Sequence, residues 1–196
     1  MFEVHPPGCD FYFAQRPIVN NHVALLQRAI QMFNAARLRG TIERTKCVFR
    51  RCSWHLLDLD VIPTSQVRHR RYGGIQGVSL SQICGSMGRT GDFDHHFHPL
   101  DDRLRDRWVS VAMTRSQFIS LPPVNLVQVG DRYFVEDGHH RISVARALGE
   151  STIDAEVSVW EVSGPLPWEK QPSSRLVWQR ASAKQTAIFM SCTSGR

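Results

Sequence analysis

The chain has 196 residues, 42% of them hydrophobic and 21% charged, with a formal charge of +6. That composition excludes a disordered polymer, and the length suits one globular domain with an appended segment. No apolar run reaches the length of a membrane span, and the first ten residues lack the basic-then-apolar pattern of a signal peptide, so a cytoplasmic protein without a membrane partner is expected.

Charge divides the chain. Residues 1–72 hold 11 Lys or Arg against 5 Asp or Glu, whereas residues 73–196 hold 13 of each. The surplus lies in Arg37, Arg39, Arg44, Lys46, Arg50, Arg51, Arg68, Arg70 and Arg71. Such a segment can hold nucleic-acid phosphates without reading sequence, and equally serves as a solvated helix surface. Five cysteines at irregular spacing suit a reduced intracellular protein. Cys47 and Cys52 are the closest pair, and no second pair stands at zinc-ligand spacing.

In chain order, Asn21 to Arg39 reads as an amphipathic helix. Val23, Leu26, Ile30 and Phe33 repeat at three and four, and Gly40 marks a stop. The apolar stripe needs a partner, either the later domain or a second copy of the chain in a homodimer. Leu56 to Ile62 reads as an extended connector that packs its leucines. Pro63 to Tyr72 reads as a basic linker, and Gly73-Gly74 as a domain boundary.

The next segment, Gly88 to Pro99, packs Asp92, Asp94, His95, His96 and His98 into seven positions. Carboxylates and imidazoles at this density make Asp92 and Asp94 candidate metal ligands, or merely surface residues before a helix that Asp101 or Asp102 caps. Leu104, Trp108 and Val111 share one face of that helix, with Trp108 expected in the core. Pro122-Pro123 then breaks the chain ahead of a hairpin.

Tyr133 to Gly149 carries the strongest signal. Tyr133 to Val135 reads as a strand, and Ile142, Ala145 and Leu148 as a helix that Gly149 ends. At the join stand Asp137, Gly138, His139, His140 and Arg141. A helix N-terminus attracts anions, and Gly138 would let a phosphate approach the backbone. Arg141 offers a planar fork, and His139 and His140 can move protons or donate hydrogen bonds. The structural alternative makes Asp137 an N-cap, Gly138 a tight turn and His139 a solvated first-turn residue. Past Val157 the pattern fades, and residues 163–196 read as a weakly ordered tail.

The Asp-Gly-His-His-Arg turn resembles that of the ParB/sulfiredoxin superfamily. The order of elements agrees: Val78 to Ile83 resembles the first strand, and Gly88-Arg89 with Asp92-Phe93-Asp94 resembles the Arg…Phe-Asp segment. The helix at 101–115, Leu121 to Val124 and the strand at Ile153 to Val157 complete the set. The resemblance implies an α/β (α+β) fold at residues 73–162, a small mixed sheet with packed helices, preceded by a basic helical segment at 1–72. It also implies a ligand site formed by Arg89, Gly138, His139, His140 and Arg141.

The departures from the family matter. Where sulfiredoxins have a cysteine this chain has His139, which removes the nucleophile of sulfinic-acid repair. Where chromosome-partitioning ParB proteins read Gly-Glu-Arg-Arg, His139 and His140 replace the Glu and the first Arg. Free-serine kinases of the superfamily carry Asp-Gly-His-x-Arg, the nearest match, yet no glutamate base stands beside Gly85-Ser86. The expectation is therefore a nucleotide or other phosphate-bearing ligand, with Mg²⁺ as a companion, in a DNA-associated or regulatory role. The alternative is a metal-dependent phosphotransferase, like the free-serine kinases, or a nuclease, using Asp137 and the Asp92, Asp94 and histidine cluster; the candidate catalytic groups are Asp137, His139 and His140. A third reading is a degenerate domain kept for protein contacts. Whether the chain is an enzyme stays open.

Overall fold

The computed structural model describes residues 18–168. Its elements are α1 (Ile18–Arg50), β1 (Leu57–Asp58), β2 (Val67–Ser79), β3 (Ile83–Ser86), α2 (Arg105–Ser116), β4 (Val124–Val129), β5 (Arg132–Asp137), α3 (His139–Ala147) and β6 (Thr152–Val162). Among the described residues the strands form one mixed sheet, in the order β1-β3-β5-β4-β6-β2. β3 runs parallel to β1 and β5, β4 runs parallel to β6, and the β4–β5 and β2–β6 pairs are antiparallel. The fold is mixed α/β, as expected.

One face of the sheet carries the main core. Val124, Leu126, Val135, Ala155 and Val157 meet Ile142 and Ala145 of α3 and Trp108 of α2. Trp108 is fully buried and donates its indole N–H to Ser143 Oγ at 2.8 Å, so it is core, as its spacing predicts. The other face packs Val127, Val129 and Phe134 against Leu59 and Ile62 of the connector, with Trp160 and Trp168 alongside.

α1 runs eleven residues past the expected stop at Arg39. Gly40 does not end it. A Cβ there would lie 3.0 Å from His98 Cβ, so this glycine lets the helix lie against the 94–98 loop. The buried stripe is Ala29, Phe33 and Ala36, with Phe33 edge-on to Trp108 at 5.6 Å, while Val23 is exposed. The partner that the stripe needs is α2 of the same chain.

The basic linker and the boundary at Gly73-Gly74 are also corrected. β2 runs unbroken through both glycines and pairs with β6 from Val67 to Ser79. A bulge falls between Tyr72 and Gly74, where Gly74 adopts φ 85° and a Cβ on Gly73 would crowd Val157 O and Val159 Cγ2 at 3.1 Å. The glycines bend a strand that continues through both. The expected strand at Val78 to Ile83 is interrupted by a 3₁₀ turn at Leu80–Gln82: Val78 and Ser79 end β2, and Ile83 begins β3. Arg146 of α3 holds that turn through Leu80 O and Ile83 O. Of the expected tail, residues 169–196 lie outside the described residues.

Candidate functional site

The site forms where β5 gives way to α3. Gly138 joins them with φ 103°, a conformation that glycine adopts without the penalty a Cβ brings. A Cβ there would stand 2.5 Å from Val124 Cγ1. The physical need for this glycine is close packing against β4, whereas the sequence pattern assigns it to an approaching ligand. Asp137 is not the N-cap: Gly138 occupies that position, and no side chain caps the helix. The dipole of α3 therefore begins at backbone N–H groups without a side-chain acceptor.

His139 and His140 occupy the first turn, and both are buried. The solvated reading of His139 does not hold. Its Nε2 lies 2.6 Å from Ser86 Oγ at the end of β3, and Ser86 Oγ also accepts the Arg89 N–H at 3.3 Å. Phe93 stacks on the His139 ring at 6.0 Å and meets the His140 ring edge-on at 5.5 Å. Burial lowers both imidazoles to a pKa of about 4, and nearby guanidiniums add to the shift: Arg89 for His139, and Arg107 then Arg89 for His140. Both rings are neutral at pH 7, and each keeps one N–H donor. His140 Nε2 is buried with no hydrogen-bond partner among the described residues. Such an atom is expensive to leave unmade in a folded chain.

The sequence places Ser86 only as half of the Gly85-Ser86 pair that stands where a glutamate base is missing, and assigns it no role. It ends the short strand that buried Ile83 begins. Its fully buried hydroxyl and the neighbouring Gly85 go together. A Cβ on Gly85 would stand 2.3 Å from Phe134 Cδ1 and 2.6 Å from Leu57 O, so β3 passes tightly between β1 and β5.

Arg89 and Arg141 differ in what holds them. Arg141 is bound at both terminal nitrogens: Nη1 donates to Pro122 O and Pro123 O, and Nη2 donates to the Asp137 carboxylate at 2.7 Å. It ties the approach to β4 onto α3, and its fork points at protein. Asp137 itself is largely exposed. Arg89 is half-exposed, and its contact with Asp92 is a loose 3.9 Å. Asp92 is held more closely by Arg103.

Asp92 and Asp94 do not converge. Asp94 is fully buried; Oδ1 accepts the N–H groups of His96 and His98, and Oδ2 faces His98 Nδ1 at 2.9 Å. Burial pushes this carboxyl up, but the bonds from His98 and His96 outweigh it and hold Asp94 below the usual carboxylate range. It organises the loop. With both carboxylates committed to protein partners, no group of three or more His, Cys, Asp or Glu side chains among the described residues is placed to hold a metal ion.

The structure thus brings together Ser86, Arg89, His139 and His140 beneath Phe93, and keeps Arg141 and Asp94 as struts. Comparison with known proteins adds a distant likeness. A sulfiredoxin from Arabidopsis thaliana matches 42% of this chain and 82% of its own, at 20% identity and a TM-score of 0.33. No family model and no curated protein matches. Among the described residues no helix is long and apolar enough to cross a membrane.

Proposed function

We propose that the turn entering α3 binds a phosphate-bearing ligand, nucleotide-like in the fuller form of the reading. The observation that carries it is the buried, unpartnered Nε2 of His140 at an uncapped helix N-terminus, beside the half-exposed guanidinium of Arg89. Neutral imidazoles supply directional N–H donors, the α3 dipole favours an anion, and Arg89 supplies the countercharge. Arg141 is the strut that keeps the turn in place. Mg²⁺, if it accompanies the ligand, arrives on the phosphates, a mode common for this ion.

A DNA-associated role is the wider form of the proposal. It draws on exposed arginines of α1 and β2, among them Arg39, Arg50, Arg68 and Arg71. Arg37 and Arg44 contribute less, since Asp102 pairs with the first and Trp54 stacks under the second.

The test is calorimetric titration of the full chain with inorganic phosphate, CTP and ATP, each with and without Mg²⁺, on wild type and Arg89→Ala. The half-exposed position lets the variant fold. Binding by wild type that weakens on the order of tenfold in the variant is expected for one charge-assisted contact. Equal affinity in both proteins, or no heat with any of the three, would overturn the reading. Salt-sensitive retention of DNA, weakened by Arg68→Ala with Arg71→Ala, tests the wider role separately.

A further inference from the structure

α1 ends in a closed cap. Arg51 adopts φ 53°, its N–H meets Val48 O at 3.4 Å, and the Cys52 N–H meets Cys47 O at 3.0 Å. This is the Schellman arrangement, in which the 6→1 bond brings two particular side chains into contact. In most helices that contact is between apolar groups. Here it joins two cysteines, both free: Cys47 buried and Cys52 exposed.

We propose that Cys47 and Cys52 form a redox-sensitive pair that closes into a disulfide across the end of α1. A 6→1 backbone bond of 3.0 Å sets the two Cα atoms near the separation a disulfide spans, roughly 5.5 Å, so little backbone movement is needed. Exposure decides which sulfur reacts first. Cys52 is open to solvent, while the Cys47 thiol keeps its proton, its pKa pushed up to about 11 by hydrogen bonding with the Cys52 thiol and then by burial.

A low-molecular-weight disulfide such as oxidised glutathione is the oxidant. The Cys52 thiolate attacks one of its sulfurs, the old S–S bond breaks, and one glutathione thiolate leaves with the bonding pair. Cys47 then gives its proton to solvent and attacks the Cys52 sulfur, and the second glutathione thiolate leaves. The two protein thiols lose two protons and two electrons, and the oxidant becomes two thiols.

The bridge would act on the segment just past Cys52. Trp54 O accepts the His95 N–H at 2.9 Å, and His55 pairs with Asp94, so the exit of α1 is fastened to the loop that presents Phe93 to the histidines. Closing the pair fixes that exit.

The experiment uses the full chain with Cys9, Cys84 and Cys192 replaced by Ser, treated with oxidised glutathione and mapped by mass spectrometry. The expected product has lost two hydrogens, resists alkylation at both remaining cysteines, and is restored by reductant. Amide exchange at 51–52 should slow on the order of tenfold on oxidation. With Cys47→Ser added, a glutathione adduct should accumulate on Cys52. A stable adduct on Cys52 while Cys47 still alkylates, a Cys52-linked dimer, or no reaction would overturn the proposal. The same mapping on the unsubstituted chain covers the case in which Cys84→Ser unfolds the protein.

Discussion

Protonating His139 or His140 in place would add a cation to a buried site already bordered by Arg89 and Arg107. Both rings titrate near a pKa of about 4, below the ordinary value of roughly 6.5, so the unfolded chain takes up protons first as pH falls. The stability this represents is therefore complete above about pH 6.5 and is lost as pH drops toward 4, on the order of 3 kcal/mol for each ring. Urea denaturation across that window should show about two protons taken up on unfolding near pH 5, and about one in His140→Phe. The same uptake in the variant and the wild type would refute it. At pH 7, His140→Phe should leave stability unchanged or raise it, because it removes a buried nitrogen with no partner. Ligand binding should fall in the same variant. A residue that weakens the fold and strengthens the site is the pattern expected of function. Gly138→Ala makes the opposite point. A Cβ 2.5 Å from Val124 Cγ1 on a φ of 103° should destabilise by about 3 kcal/mol in thermal or urea unfolding, with strain and crowding both contributing.

At the scale of elements, the loop from Phe93 to Pro99 depends on one carboxylate. Asp94→Ala removes the acceptor for two backbone N–H groups and the His98 ring, all around a fully buried position. A loss of about 3 kcal/mol is expected, read by urea unfolding. A loss under about 0.5 kcal/mol, together with weakened Mg²⁺ binding, would favour the metal reading instead. The sequence could show that this loop is rich in Asp and His, but not that Asp94 turns inward to its own loop. Element types were more legible. The strand–turn–helix at 133–149 and the helix after Asp101 follow from periodicity and breakers, and the structure has β5, α3 and α2 there. The misread ends share one cause, since each glycine had to be judged without its neighbours. Gly40 reads as a stop, yet it is needed because its bare face meets His98; Gly73-Gly74 reads as a boundary, yet it bends a strand over Val157 and Val159. Tertiary contact, not propensity, decides both. The role of Ser86 is illegible for the same reason: the sequence shows Gly85-Ser86, but the serine gains meaning only when a histidine 53 residues away lies against it.

The molecule as a whole is then less divisible than its charge distribution suggests. The half rich in arginine supplies α1, whose Phe33 packs on Trp108, and the first part of β2, whose residues 67–72 pair with 158–162 of β6. A fragment spanning residues 73–162 loses both. It leaves Trp108 uncovered on one face and strips nearly half of the β2 pairing from β6, which also exposes Trp160 beside Arg70. Burying Phe33 alone is worth roughly 3 kcal/mol, a large share of a typical domain's 5–15 kcal/mol. We therefore expect the 73–162 fragment to lack a cooperative thermal transition and to bind a dye for exposed apolar surface, while residues 18–168 unfold in a single transition. Phe33→Ala in the full chain should fall between them, losing about 3–5 kcal/mol but still melting cooperatively. A folded, cooperative 73–162 fragment would restore the two-unit division and make α1 an accessory. Its failure would tie the Arg89–His140 site to α1 through Trp108, Ser143 and α3, so that changes at the end of α1 can reach the histidines through packed contacts.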